Sequence, residues 1–376
     1  MISFTTALAK EYKQPFRREE TGIELMRIPA IITLKDGRVF AAADNRHNHG
    51  LDSPQNIDTL IAVSKDGCGG WEYSSLNRFD DCLDGTGSAD SASFIDPAVI
   101  QSGATGRIFV IVDAFAGNTG CTSAAADTGF TPDGHIKLTF RGSESDAYVG
   151  DFEGDTAQII DGGKPTGYTV DREFYLFKDG EPLMIKQINS DKEVRQNIFF
   201  SDVYEVIHTS FLWMRYSDDG GETWSHPVIL NHQVKREGEK FLGICPGRGF
   251  VTQAGGKERI LFCVYTHDSG IEHVSTVYSD DNGETWKRGE DVRNTPLVGK
   301  TSESQIVGMP DGSLKMFSRN KSRFVSSCVS TDAGVSWSVS KAETDLDTTR
   351  NCMVSFINLE RRIGGKPAVA ASFSCS

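Results

Sequence analysis

Arg27, Arg46, Asp52, Glu303 and Arg319 are the residues around which this sequence could build a reaction. A guanidinium is a planar fork that meets a carboxylate through two parallel hydrogen bonds, which a lysine ammonium cannot do. Arginines converging from separate parts of a chain therefore suit a ligand that carries a carboxylate. Carboxylates beside such a clamp could shuttle protons. Each residue also has an ordinary reading: Arg27 as a strand-end ion pair, Asp52 as a solvated loop carboxylate, Glu303 as an exposed strand-end glutamate. His47 and His49 stand two apart in the polar run Asn45–Pro54, but no third ligand comes into view for a metal. Neither a metal nor an organic cofactor is implied.

The bulk of the sequence narrows the partners. A formal net charge of −13 argues against nucleic acid or an anionic membrane as the main partner. A small anion remains compatible, because a local arginine pocket outweighs a distant acidic surface. No apolar run approaches the length that spans a bilayer. The opening Met1-Ile2-Ser3-Phe4 lacks the basic start and long apolar stretch of a secretory leader. Localisation is left open, with an extracellular or cell-surface place expected if the chain is incomplete at its N-terminus. The eight cysteines include no CxxC pair, and a chain of 376 residues has core enough without cross-links. Reduced, mostly buried thiols are the expectation.

The elements that must position those residues are announced by a repeat. Ser217-Asp218-Asp219-Gly220-Gly221-Glu222-Thr223-Trp224, Ser279-Asp280-Asp281-Asn282-Gly283-Glu284-Thr285-Trp286 and Ser330-Thr331-Asp332-Ala333-Gly334-Val335-Ser336-Trp337 share one pattern, and Ser64 to Trp71 is a degenerate copy. In such a turn the Asp carboxylate accepts bonds from nearby amides and the Gly supplies a left-handed backbone angle. The Trp then buries a large ring on a neighbouring sheet. The last three copies begin about 50–60 residues apart, close to the length of a four-stranded propeller blade. The wider gap between the first two copies predicts another blade near 90–115 and an inserted β-rich stretch, with Arg172–Phe177 and Lys178-Asp179-Gly180 reading as a hairpin. Long helical periodicity is missing. The fold class expected is all-β.

The repeated turn is the Asp-box, and together with Arg27-Ile28-Pro29 it resembles the sialidase family of bacterial type. Phe241 to Gly249 and Thr301 to Phe317 are similar to the same family. The resemblance implies a six-bladed β-propeller with an apparently incomplete last blade. It divides the chain into 1–115 (first blades, with Arg-Ile-Pro and the first Asp-box), 116–200 (inserted β-rich segment) and 201–376 (later blades, with three Asp-boxes). It implies an exo-α-sialidase that removes terminal sialic acids from glycoproteins, glycolipids or oligosaccharides. Arg27 and Arg319 would clamp the substrate carboxylate, with Arg323 as rival to Arg319. Arg46 would touch polar substituents of the sugar, and Asp52 would be the acid/base, with Asp58 as its rival. Glu303 would take the proton of a tyrosine nucleophile, a departure from the usual carboxylate pair of glycosidases.

That tyrosine and a third arginine follow, in the family, a strand resembling Gly365–Phe373, and the sequence stops at Ser376. The nucleophile is therefore expected beyond this end, and the chain by itself is expected to be inactive. An intramolecular trans-sialidase and a non-catalytic sialoglycan-binding propeller are the alternatives.

Overall fold

The computed structural model describes residues 14–65, 70–81, 88–268, 270–347 and 351–373. Within them the only helices are two single turns, Arg18–Thr21 and Asn231–Val234, and everything else regular is strand. The protein is all-β.

Four groups of mainly antiparallel strands, called sheets below, follow one another along the chain, the first two joined by the parallel pair Ile57–Ser93. In the first, β1 (Met26–Thr33), β2 (Val39–Arg46), β3 (Ile57–Ser64) and β4 (Trp71–Asn77) pair in sequence order. The second begins with β5 (Ser93–Gln101) and β6 (Ile108–Phe115), but β6 pairs next with Phe211–Ser217, which lies beyond the insertion. The stretch near 90–115 is thus the inner half of a sheet rather than a complete blade. Its outer half waits until the chain returns, because only there do Leu212 and Met214 supply apolar side chains for the ladder. Leu242–Ile244, Phe250–Ala254, Lys257–Asp268, Ile271–Ser279 and Lys287–Arg288 form the third sheet, while Gly247–Arg248 pairs in parallel with β5, and Thr301–Gly308, Leu314–Asn320, Phe324–Ser330 and Lys341–Asp347 form the fourth. A hairpin, Ser355–Ile363 with Lys366–Ser372, comes last.

The insertion folds as its own sheet. β7 (Lys137–Phe140), β8 (Ser143–Glu153), β9 (Thr156–Asp161), β10 (Lys164–Asp171), β11 (Leu176–Lys178) and β12 (Glu181–Pro182) lie side by side, with Tyr204–Val206 beyond β7. The expected turn at Asp179-Gly180 closes the β11–β12 hairpin, with both residues at positive φ, as a two-residue hairpin turn requires. One face of this sheet is apolar, and Ala147, Val149, Ile159 and Val170 share a core with Phe40, Phe94 and Trp213 of the first two sheets. The insertion is therefore fused to its host through a common core.

The three intact Asp-boxes join successive sheets by one repeated device. In each, the carboxylate of Asp219, Asp281 or Asp332 accepts the amide of Thr223, Thr285 or Ser336 at 2.9 Å, and the leading serine hydroxyl takes the glycine amide. Gly283 and Gly334 lie at φ 88° and 87°, so closely against Phe109 and Leu261 of the preceding sheet that any Cβ would collide. An arginine completes the joint. Arg107 grips Asp218 at 2.7 and 2.9 Å, covers the Tyr216 ring and reaches the carbonyl of Asn282 in the next box. Arg259 repeats this with Asp280, Tyr278 and the carbonyl of Ala333. The degenerate copy at 64–71 falls partly on residues 66–69, outside the described residues.

Cys121, Cys245, Cys263, Cys328 and Cys352 are free thiols, the middle three buried. Cys68, Cys82 and Cys375 lie outside the described residues. Among the described residues no helix is long and apolar enough to cross a membrane.

Candidate active site

Three inner strands break their ladders where the site residues sit. β1 slips register between Arg27 and Ala30, with Ile28 at φ 53°. β5 slips between Ile95 and Ala98, with Asp96 at φ 64° and Pro97 behind it. Thr301–Gly308 slips between Thr301 and Ser304, around Glu303. A bulge bends its strand and re-aims a side chain that the pleat would otherwise send elsewhere. An isoleucine in the left-handed region is strained, and such strain persists where the surroundings over-determine it. The Arg-Ile-Pro motif is thus a local backbone device that turns Arg27 outward.

Asp52 is carried by the loop after β2, and that loop is tied at several points. Arg46 is fully buried at the end of β2 and donates to Asp44 at 2.8 Å, to Asp52 at 2.8 Å and to the carbonyl of Gly50 at 2.9 Å. Arg27 donates to the same Gly50 carbonyl. The buried Gln55 side chain bonds the backbone of His49 and Leu51. Gly120 presses on the Ser53–Pro54 backbone so closely that a Cβ has no room. The Asp52 side chain itself remains 75% exposed. Arg46, expected to touch the sugar, offers no surface in this structure, since its donors are spent on Asp44, Asp52 and Gly50. It holds Asp52 in place. Asp58 is buried against His47 at 2.7 Å, so the loop's open carboxylate is Asp52.

Glu303 and Arg319 meet at 2.7 Å, partly open to solvent. Burial disfavours the Arg319 charge, but Glu303 overrides this and raises its pKa. Arg323 is instead exposed and paired with Asp347 at 2.6 Å.

Electrostatics shows how the sheets converge. Burial pushes the half-buried Asp96 carboxyl well above the usual range, and the charges of Asp44, Asp113, Glu303 and Asp52 add to it. The Asp96 amide donates to the Asp44 carboxylate at 3.0 Å, and charges carried on the first, second and fourth sheets all act on the Asp96 carboxyl. On the third, the Tyr265 phenol is raised first by burial and then by Asp96, Cys121, Glu303 and Asp113. Burial raises Asp44 to about 7 in spite of Arg46. The sequence reading passed over Asp96 as a site residue. Its signal was available, because an acid and a proline inside the apolar run Ser93–Gln101 mark a bulge rather than a regular central strand.

With that geometry in view, likeness to known proteins is informative. The family model of a BNR repeat-like domain matches residues 197–360. The intramolecular trans-sialidase from Ruminococcus gnavus is similar at 31% identity and TM-score 0.85, over 96% of this chain and 80% of that one. The chain belongs to the sialidase family. An anhydrosialidase of Macrobdella decora is 33% identical over 92% of the chain and 49% of its own length. Sialidase B of Streptococcus pneumoniae is 29% identical over 80% of the chain and 46% of its own length. This sialidase-family chain thus spans about half the length of those two relatives.

Proposed function

We propose that the chain supplies the sialic acid pocket and the acid/base carboxylate of an exo-α-sialidase acting on terminal sialic acids of glycoconjugates. What supports this is the hydrogen-bonded chain from Asp52 through Arg46 and Asp44 to the Asp96 amide, together with the Glu303–Arg319 pair, whose carboxylate also raises the Asp96 carboxyl. Arg27 and Arg319 bind the substrate carboxylate as cations open to solvent. Asp52 protonates the leaving oxygen and then activates water. Glu303 serves as base to a tyrosine nucleophile, giving retention of configuration. A neutral phenol attacks beside the substrate carboxylate without the repulsion an anionic carboxylate would meet. Arg46 reaches polar groups of the sugar only when Asp52 turns away from it.

In this reading the four sheets and the hairpin 355–372 belong to a six-bladed propeller whose last blade is incomplete here. The units are 1–115, the insertion 116–200, and 201–376. Glycoproteins, glycolipids and sialylated oligosaccharides are the substrates proposed.

The test is cleavage of a fluorogenic α-sialoside by the expressed protein. Release of the fluorophore, lost in Asp52→Ala, supports the reading. Full turnover in Asp52→Ala removes Asp52 from the mechanism, and no turnover in the unaltered protein favours a non-catalytic sialoglycan-binding propeller. A second reading, intramolecular transfer, is favoured by the likeness to the leech anhydrosialidase and the Ruminococcus gnavus enzyme. Product analysis separates the two: free sialic acid marks hydrolysis, and a 2,7-anhydro sugar marks intramolecular transfer.

A further inference from the structure

We propose that the outward face of the inserted sheet is an accessory binding site for a neutral saccharide, separate from the candidate active site. The inward face of that sheet is spent on the shared core, through Ala147, Val149, Ala157 and Ile159. The alternate residues of β8 and β9 have no packing duty, and a plain solvated face would be flat and uniformly polar. This one is hollow. Tyr148, Gly150, Gln158, Ile160 and His135 line a cleft of about 330 Å³, with Asp151, Glu153 and Thr156 on its rim. That is the low end of the range of ligand sites, about 300–1,000 Å³, and matches one or two sugar rings.

Two features make the hollow. β8 slips register against β9 between Val149 and Phe152, which bends the strand at this point. Gly150 then leaves the floor open: a Cβ there would stand 3.1 Å from the Gln158 carbonyl and 3.4 Å from the Ile160 side chain. One wall is aromatic, with the Tyr148 and His135 rings 5.1 Å apart and tilted by 37°. His135 is held between Asp133 at 3.2 Å and Asp151 at 3.3 Å.

The lining chooses the ligand class. It offers carboxylates, an amide and hydroxyls but no lysine or arginine, so an anion such as a sialate would be repelled where sugar hydroxyls find acceptors. The apolar C–H face of a pyranose has the Tyr148 ring and Ile160 to lie on. A metal is not the occupant, since no group of three or more potential ligands is assembled among the described residues. A neutral-sugar site fused to the propeller would raise the local concentration of glycan chains near the active site.

Titration of the chain with lactose, followed by calorimetry or NMR, tests this. Saturable binding is expected, weakened about tenfold or more by Tyr148→Ala and by Gly150→Val, which fills the floor. Asp151→Ala, at a side chain 97% exposed, should weaken it without touching the fold. Arg27→Ala should leave lactose binding unchanged, which separates this site from the sialoside pocket and makes the two proposals fail independently. Absence of saturable binding overturns the proposal. So does binding that survives Tyr148→Ala and Gly150→Val, or binding abolished by Arg27→Ala.

Discussion

At the scale of single residues, the candidate site divides labour between exposed and buried groups. Asp52 and Arg27 face solvent, whereas Arg46, Asp44 and Gln55 fix the loop that bears Asp52 from beneath. Removing an exposed acid/base should therefore cost chemistry rather than folding. Asp52→Asn is expected to lower kcat by about 10²–10⁴-fold, the usual share of a positioned acid/base. Its thermal unfolding should match that of the unaltered protein. Arg27→Ala should act mainly on KM, with a loss of about 2–5 kcal/mol in binding the carboxylate where the bound substrate desolvates the pair. Steady-state kinetics on a sialoside checks both. A variant that loses kcat and thermal stability together would show that Asp52 holds the loop rather than moves protons.

At the scale of elements, the Asp-box is a turn whose parts have separable energies. The residue before the conserved glycine takes a left-handed backbone in all three copies: Gly220 at φ 78°, Asn282 at 60° and Ala333 at 57°. Glycine and asparagine visit that region readily, while alanine is penalised by about 1 kcal/mol. Ala333→Gly should thus raise the stability of the fourth sheet by about that amount, read as an upward shift in the denaturant midpoint. The box aspartates make a second prediction. Thr223 holds Asp219 well below the usual carboxylate range, and at Asp281 and Asp332 the bonds from Thr285 and Ser336 do the same against the pull of burial. Stability from a depressed carboxylate is complete above the unfolded value of about 3.9 and is lost as pH falls through the folded one. Asp281→Asn should therefore flatten the loss of stability below about pH 4, and unfolding midpoints measured across that range decide it.

For the whole molecule, buried carboxyls set the opposite slope. Asp113 is pushed well above the usual range by burial, against the amide of Ile244, which it accepts at 2.8 Å. Asp96 is raised likewise, and Asp44 to about 7. A raised folded pKa gives stability that is whole below the unfolded value of about 3.9 and disappears as pH climbs through the folded value. With the Asp-boxes failing below about pH 4 and the stability held by these buried carboxyls declining above it, the two groups together favour a maximum near pH 4. Asp113→Asn keeps the acceptor for Ile244 and removes the ionisation. Its stability should fall less between pH 5 and 8 than that of the unaltered protein, as thermal melts at both values would reveal. An equal fall in the two proteins would assign the slope to Asp44 and Asp96.

The sequence by itself determined what short-range chemistry writes: the Asp-box turns, the hairpin at Asp179-Gly180, the all-β class and the motif around Arg27. Each depends on residues a few positions apart, whose hydrogen bonds and backbone angles are set by their own types. The tertiary structure decided the rest. It paired β6 with Phe211–Ser217 across the insertion, and it seated the box glycines on Phe109 and Leu261 of the neighbouring sheets. It also buried Arg46 beneath Asp52 and brought the Asp44 carboxylate onto the Asp96 amide. These depend on which apolar faces bury each other, and that choice is settled only when distant parts of the chain compete for the same core, where no local pattern records the outcome.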